Sequence, residues 1–489
     1  MTADHLSKHL KTNIVRLQQT FSLSNDFEFI RWQYGPELKS TSVTVYLKSI
    51  IHNKKINYMR RSLQDLVEHD VGPGTEVKPE MLIRFFEGRG ASTESASIES
   101  KWSVIDQRIL QGNVVIFLEG WDKAVCYEAK DMETRQVTEP ETEPVVQGPR
   151  EGTVENLLKN IGMIRTRIQS PALKIEAFKS GGYSNTTINY MYIQGVVDPE
   201  LLKEFKLRIN KIGPGEILDP SYIEELIEDY PLSPFPQFRY TERTDVAAAA
   251  LLNGKILVLS QGSGSILVCP GLFFEFLQSS EDYYQRVLVS NFIRWLRLVA
   301  LLIAISLPSI YIAMSTFHTE LIPTVLLLAI IDSREGIPFG AFMEAVIMVF
   351  FFELLKEAGI RLPRPVGSAV SIVGALVIGE AAINAGIASP IMVVVVSLTG
   401  IASFSLPQYN LSIALRLIQF PLMALSAMLG GFGILLGYLF IWLHLVNLTS
   451  LNVPYLTTIA PWKPRQFRDT LIRTKLPALI RRTKPPSTD

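Results

Sequence analysis

The chain has 489 residues, 47 Lys+Arg balanced by 47 Asp+Glu, and a mean hydropathy of +0.22. That pairing of neutral charge with high apolar content excludes a disordered chain and a globally basic nucleic-acid binder, so no nucleic-acid partner is expected. Two cysteines, Cys126 and Cys269, exclude a disulfide scaffold or a Cys-rich metal module.

The neutrality is an average over unlike regions. Residues 1–297 carry a net −4, residues 298–455 a net −2 with only 12 charged side chains, and residues 456–489 a net +6. A polar N-terminal region followed by a charge-poor one predicts an α+β soluble part joined to a polytopic all-α transmembrane domain.

Residues 1–24 read as a helical lead-in whose polar start, MTADHLSKHLK, has no apolar signal-peptide core. The N-terminal part is therefore expected to stay in the cytoplasm. Strands are predicted at 27–34 and 42–51, helices at 56–69 and 78–88 around the turn residues 71–74, and strands at 114–118 and 124–128. These form a first α/β subdomain, 1–130. The acidic, Pro-containing stretch 131–147 reads as a linker.

The same order then repeats. ILQGNVVIFLEG at 109–120 resembles LLNGKILVLSQG at 251–262, an offset of 142, and each is followed by a short apolar strand holding one cysteine. The strand pair at 27–51 likewise matches 173–197, with helices expected near 198–211 and 220–229. The prediction is a second, related α/β subdomain, 148–285.

A transmembrane domain is predicted over 286–455. Residues 298–317 are long enough to cross ~30 Å of hydrocarbon at 1.5 Å per residue. Residues 322–331 are too short to cross and read as re-entrant. Further spans are expected at 338–355, 365–387 and 390–406, and 411–447 divides at the GGFG of 430–433. About five or six spans result, with the basic tail 456–489 in the cytoplasm.

VQGPREGTVENLLKNIGMIRTRIQS at 146–170, PTVLLLAIIDSREGIPFGAFMEAV at 323–346, FFELLKEAGIRLPRPVG at 351–367 and VGALVIGEAAINAGIASP at 373–390 together resemble the GerA-type spore germination receptors, specifically their A subunit. The resemblance implies residence in the inner membrane of a bacterial endospore. It also implies a complex with a transporter-like B subunit and a lipoprotein C subunit. In that family the A subunits are thought to form an oligomeric ion channel that opens when nutrient is sensed.

Candidate site residues follow from charge in apolar surroundings. On a helical period Val366, Val370, Val373, Val377, Glu380 and Asn384 share one face. In a ring of subunits that face makes an apolar constriction beside a carboxylate ring, suited to monovalent cations. The alternative is that Glu380 is a buried acid paired to a neighbouring helix. Glu353 and Glu357, with Lys356, Arg361 and Arg364, read as a charged helix end at the interface, and Arg416 falls at the inner interface. Glu344 is a further intramembrane acid, and Arg334 and Glu335 mark a water-exposed turn or a pore mouth. In the soluble part, Gly148, Pro149, Arg150 and Glu151 read as sitting just before a helix whose interior holds Glu155, Asn160, Arg165 and Arg167, with Glu151 and Glu155 in its positive-dipole half. Arg150, Arg165 and Arg167 read either as subunit contacts or as pairs within the domain.

An enzyme is not expected: no GxxxxGK[ST], HExxH, CxxC or GxSxG pattern occurs, and the histidines at 5, 9, 52, 69, 318 and 444 are scattered. No cofactor or metal is expected, and both cysteines read as buried structural thiols.

Overall fold

A computed structural model of the chain describes residues 4–34, 40–51, 96–130, 139–140, 142–180, 182–212, 215–362, 374, 377–457, 459, 467–475 and 477. The helices expected at 56–69 and 78–88, the turn at 71–74, and Val366, Val370, Val373 and Arg364 lie outside the described residues. The chain forms two compact units, one of residues up to 227 with 238–270, the other of 228–237 with 271–482.

The first unit holds two sheets built to one plan. Strands β1 (Phe27–Tyr34), β2 (Ser40–Leu47), β3 (Ala96–Glu99), β4 (Asn113–Leu118) and β5 (Ala124–Glu128) lie in the order β1-β2-β4-β5-β3. Strands β6 (Leu173–Ser180), β7 (Thr186–Ile193), β8 (Arg239–Thr241), β9 (Ile256–Ser260) and β10 (Ile266–Cys269) repeat it as β6-β7-β9-β10-β8. Register repeats as well. Phe27 faces Leu47 and Tyr34 faces Ser40, just as Leu173 faces Ile193 and Ser180 faces Thr186.

The reason is period-two patterning. Val43, Val45 and Leu47 point to one face, where helices α1 (Leu10–Thr20) and α2 (Trp102–Leu110) bury Leu10, Ile14, Leu17, Ile105 and Ile109 against them. In the second copy α3 (Leu157–Arg167) and α6 (Thr244–Leu252) bury Ile161, Ile164, Ala247 and Leu251 on the equivalent face. Between them in sequence lie α4 (Pro199–Ile209), with Asp198 capping its start, and α5 (Pro220–Ile227).

The second unit is helical. After the short α7 (Glu281–Tyr284) comes α8, Val287–Thr316, whose 30 residues span about 45 Å at the helical rise. Then follow α9 (Thr324–Ser333), α10 (Ala341–Arg361), the helical residues 377–384, α11 (Pro390–Phe404) and α12 (Tyr409–Asn447). By length and composition α8 and α12 suffice to cross a membrane, and α9 and α11 are shorter apolar helices.

The helix α12 is two helices. Gly430 has φ 60° and ψ −139°, and a Cβ on Gly437 would meet Leu422 at 2.3 Å. Residues fifteen apart on a straight helix sit about 22 Å from one another, so the chain reverses at Gly430. Only glycine allows both that backbone and the approach of Gly433 to the Leu425 carbonyl, where a Cβ would lie at 2.0 Å.

One predicted boundary needs correction. The second subdomain does not run to 285, because Phe273, Phe274, Phe276 and Leu277 join Leu301, Leu411 and Tyr455 in the helical unit's core. Residues 228–237 also belong there: Tyr455 donates to the Pro236 carbonyl (2.7 Å), Ser450 to the Gln237 carbonyl (2.6 Å), and Ser233 Oγ lies 2.8 Å from His444 Nε2. The linker and the tail are partly docked. Glu143 pairs with Arg239 at 3.3 Å and accepts from Thr241, while Arg473 is buried and donates to the carbonyls of Gln285 and Tyr283. Composition made these stretches look solvated, but their charges find buried partners.

Candidate functional site

In the first unit the segment around 148–167 leads into a helix tied down by its own side chains. The helix begins at Leu157, and Asn156 caps it by accepting from Lys159 N. Gly148 (φ 120°), Pro149, Arg150 and Glu151 lie ahead of it, and Glu155, expected in its interior, precedes it as well. Asn160, buried within the helix, reaches back to Val154, accepting from its N–H (2.8 Å) and donating to its carbonyl (2.6 Å). Asn13 does the same to Ser7 in the first copy, at 3.0 and 2.7 Å. Both span six residues, so the duplication extends to single hydrogen bonds.

Each of the three arginines has partners within the chain. Arg165 has no exposed surface and holds Asp26 with Nε (3.2 Å) and Nη2 (2.9 Å), while Nη1 donates to the carbonyls of Ser170 and Leu173. Asp26 also accepts from Ser49 Oγ at 2.8 Å. This bidentate pair joins the two sheet-bearing copies. Beside it, residues 23–25 pair with the edge strand β6 through Asn25 N to Ile175 O and Ile175 N to Leu23 O, both 2.8 Å. Arg167 bonds Glu151 (2.9 Å) and Thr244 (3.0 Å), and Arg150 bonds Glu139 (3.1 Å).

Cys126 and Cys269 lie buried on the matching strands β5 and β10, one residue out of step, since the counterpart of Cys126 opposite Val115 is Val268 opposite Leu257. Burial pushes the Cys126 thiol up to about 12, with Glu99 adding to the effect, and also raises Cys269 well above its ordinary value. Neither thiol is poised for nucleophilic chemistry.

In the helical unit the candidate charges divide into three settings. Glu344 is fully buried, and its Oε1 accepts from Ser389 N (2.6 Å) and Ser389 Oγ (2.5 Å). Arg334 Nε lies 3.7 Å from Glu344 Oε2. Glu353 is ion-paired with Arg416 on α12, along a cleft that Thr399, Ser403 and Gln419 also line. It is thereby separated from Glu357, which pairs at the exposed helix end with Arg361 (2.5 Å). The expected single cluster of Glu353, Glu357 and Arg361 is two pairs, because Arg416 draws Glu353 into the bundle. Lys356 lies 4.4 Å from the Phe404 ring centre. Glu335 sits with Arg334 in the turn after α9, hydrogen-bonded to Asp332 O.

The third setting is the helical stretch 377–384. Val377, 56% exposed, shares its face with the exposed Glu380 and Asn384, while Ala382 is buried against α10 and α11 neighbours such as Ala345 and Met392. Among the described residues no group of three or more His, Cys, Asp or Glu is arranged to hold a metal. Sequence reasoning missed Asp26, Ser389 and Tyr311 as partners of the charged residues. Nothing local marks them, since each contact bridges segments 45 or more residues apart or lies on another helix.

A model of the Bacillus/Clostridium GerA spore germination protein family matches residues 15–485. The uncharacterized membrane protein YfkQ of Bacillus subtilis (strain 168) is 40% identical over 479 residues, 98% of this chain and 91% of that protein. Spore germination protein KA of the same organism is 40% identical over 469 residues, 96% of this chain and 85% of its own length. Spore germination protein B1 is 33% identical over 486 residues, 99% of this chain and 98% of the relative. The crystal structure of the N-terminal domain of the A subunit of the Bacillus megaterium spore germinant receptor GerK3 matches with a TM-score of 0.44 at 24% identity, covering 56% of this chain and 99% of that one.

Proposed function

Because the chain belongs to the Bacillus/Clostridium GerA spore germination protein family, we propose that it is the A subunit of a nutrient receptor, forming an oligomeric cation channel in the spore inner membrane. Its partners would be a transporter-like B subunit, a lipoprotein C subunit, lipid and monovalent cations, with the N-terminal unit and the tail cytoplasmic. The proposed activity is conduction, with no catalytic step.

The observation that carries this reading is the exposed face of Val377, Glu380 and Asn384 in a unit whose other outward side chains are largely apolar, Val325, Leu435 and Phe440 among them. A carboxylate facing lipid is costly, so such a face calls for water or a protein partner. Repeated around a ring it gives a hydrophobic gate of valines next to a cation-attracting ring of carboxylates.

Purified protein in liposomes tests this by single-channel recording. Val377→Ala is expected to raise the resting leak, and Glu380→Gln to lower cation over anion permeability several-fold. Currents indifferent to both substitutions would remove this face from the pore. An intact oligomer with no current under any condition would leave a scaffold that assembles the receptor.

A further inference from the structure

Four helix ends meet at Glu344. It lies in the first turn of α10, and its Oε1 holds both the N–H and the hydroxyl of Ser389, the residue that caps α11 by accepting from Met392 N (3.2 Å). Arg334 ends α9. The helical residues 377–384 finish through the turn in which Ala388 N and Ile387 N bond back to the Ala382 carbonyl, immediately before Ser389. In that turn Gly386 (φ +66°) packs on the Gly336 carbonyl, a Cβ there lying 3.6 Å from it.

The second carboxylate oxygen is different. Glu344 Oε2 and Arg334 Nε are both shielded from solvent, and neither has a hydrogen-bond partner. At 3.7 Å they are too far apart for a direct hydrogen bond but form an ion pair. The Tyr311 hydroxyl, also shielded, faces Ser389 within electrostatic range of both charges.

We propose that Glu344 is the positioning residue of the gate: bound directly to Ser389 and ion-paired with Arg334, it fixes the end of the stretch that bears Val377, Glu380 and Asn384. The inference rests on the channel reading for its consequence but not for its geometry. The positive ends of the α10 and α11 dipoles both favour an anion at this point. Holding Ser389, five residues past Asn384, leaves the outward face little freedom to rotate. Movement of the short α9 would reach that face through Arg334.

The geometry is tested by hydrogen–deuterium exchange on the full-length protein in nanodiscs. Glu344→Gln is expected to speed exchange across 386–392 by tenfold or more, with exchange in the first unit unchanged. Arg334→Gln, which leaves the direct contact to Ser389 intact, is expected to speed it by a smaller factor. Glu344→Asp should partly restore protection. Unchanged exchange in Glu344→Gln overturns the latch. So does a response to Glu344→Gln with none to Arg334→Gln, since that leaves a helix cap alone.

The link to gating is read separately in liposomes. Glu344→Gln and Arg334→Gln should each raise resting conductance, and the double variant no more than either alone, as expected for two members of one network. Additive effects, or a resting conductance equal to wild type, overturn the gating role. Absence of current in the wild-type protein would fail the channel reading while the exchange result still decides the latch.

Discussion

Asp106 sits on α2 with one carboxylate oxygen buried and unpartnered. Burial raises its carboxyl to about 6 from a usual 3.8, with Arg16 opposing the shift and Asp4 adding to it. A carboxyl raised on folding favours the protonated native state, so its contribution is full below about pH 4 and is lost as the pH climbs through about 6. Asp106→Asn is therefore expected to stabilise the first unit at pH 7 by about 1–2 kcal/mol, after allowance for the group's partial exposure. That gain should vanish at pH 4, as read from thermal unfolding at the two values. The Asp26–Arg165 pair predicts the opposite sign. Asp26→Ala leaves a buried guanidinium without its carboxylate and should cost about 3–5 kcal/mol in chemical denaturation, whereas the double Asp26→Leu, Arg165→Met should recover much of that loss. Which residues carry charge in unusual places was readable from the chain. Their partners were not: Arg165 looked as suited to a subunit surface as to the core until Asp26, 139 residues away, was seen to bury it.

Element by element, strands and turns were the most legible. The β-branched and aromatic residues of 27–51 and 173–197 mark strand pairs, and GGFG marks a break in 411–447. Helix starts were less so. Glu155 was expected inside the helix that follows Pro149 and Glu151, yet Asn156 and Asn160 fix the start at Leu157 through side-chain bonds that composition does not reveal. Close approach of helices was invisible in the same way. A Cβ on Gly400 would come within 2.2 Å of the Phe352 ring, so α10 and α11 touch because this position is glycine. Gly400→Ala is expected to part them and destabilise the helical unit by about 1–3 kcal/mol, as overpacking does, measured by detergent-resistant thermal unfolding. Gly430→Ala carries both a positive φ and a contact with Phe317, and should lower the yield of folded protein more than Gly400→Ala does.

At the scale of the molecule, each sheet in the first unit closes on its own helices, so residues 1–270 are expected to fold as an independent soluble fragment. Circular dichroism should show a cooperative melt. Residues 228–237 should be cut readily by protease in that fragment but protected in the full chain, where Ser450, Tyr455 and His444 hold them. By itself the sequence determined the duplicated α/β plan, the order of soluble and helical parts, and the family. Those rest on local periodicity, repetition along the chain and long runs of apolar residues, which need no knowledge of distant contacts. The neutral charge total also proved, from sequence alone, to be a sum of three unlike regions. Only the tertiary structure decided where the domain boundary falls, that part of the basic tail is docked, and which acids are held inside and which face outward. Glu344 and Glu380 are both carboxylates set in apolar stretches of helix. One is buried on Ser389 and the other exposed, because burial depends on which helix packs beside a residue, and that information lies elsewhere in the chain.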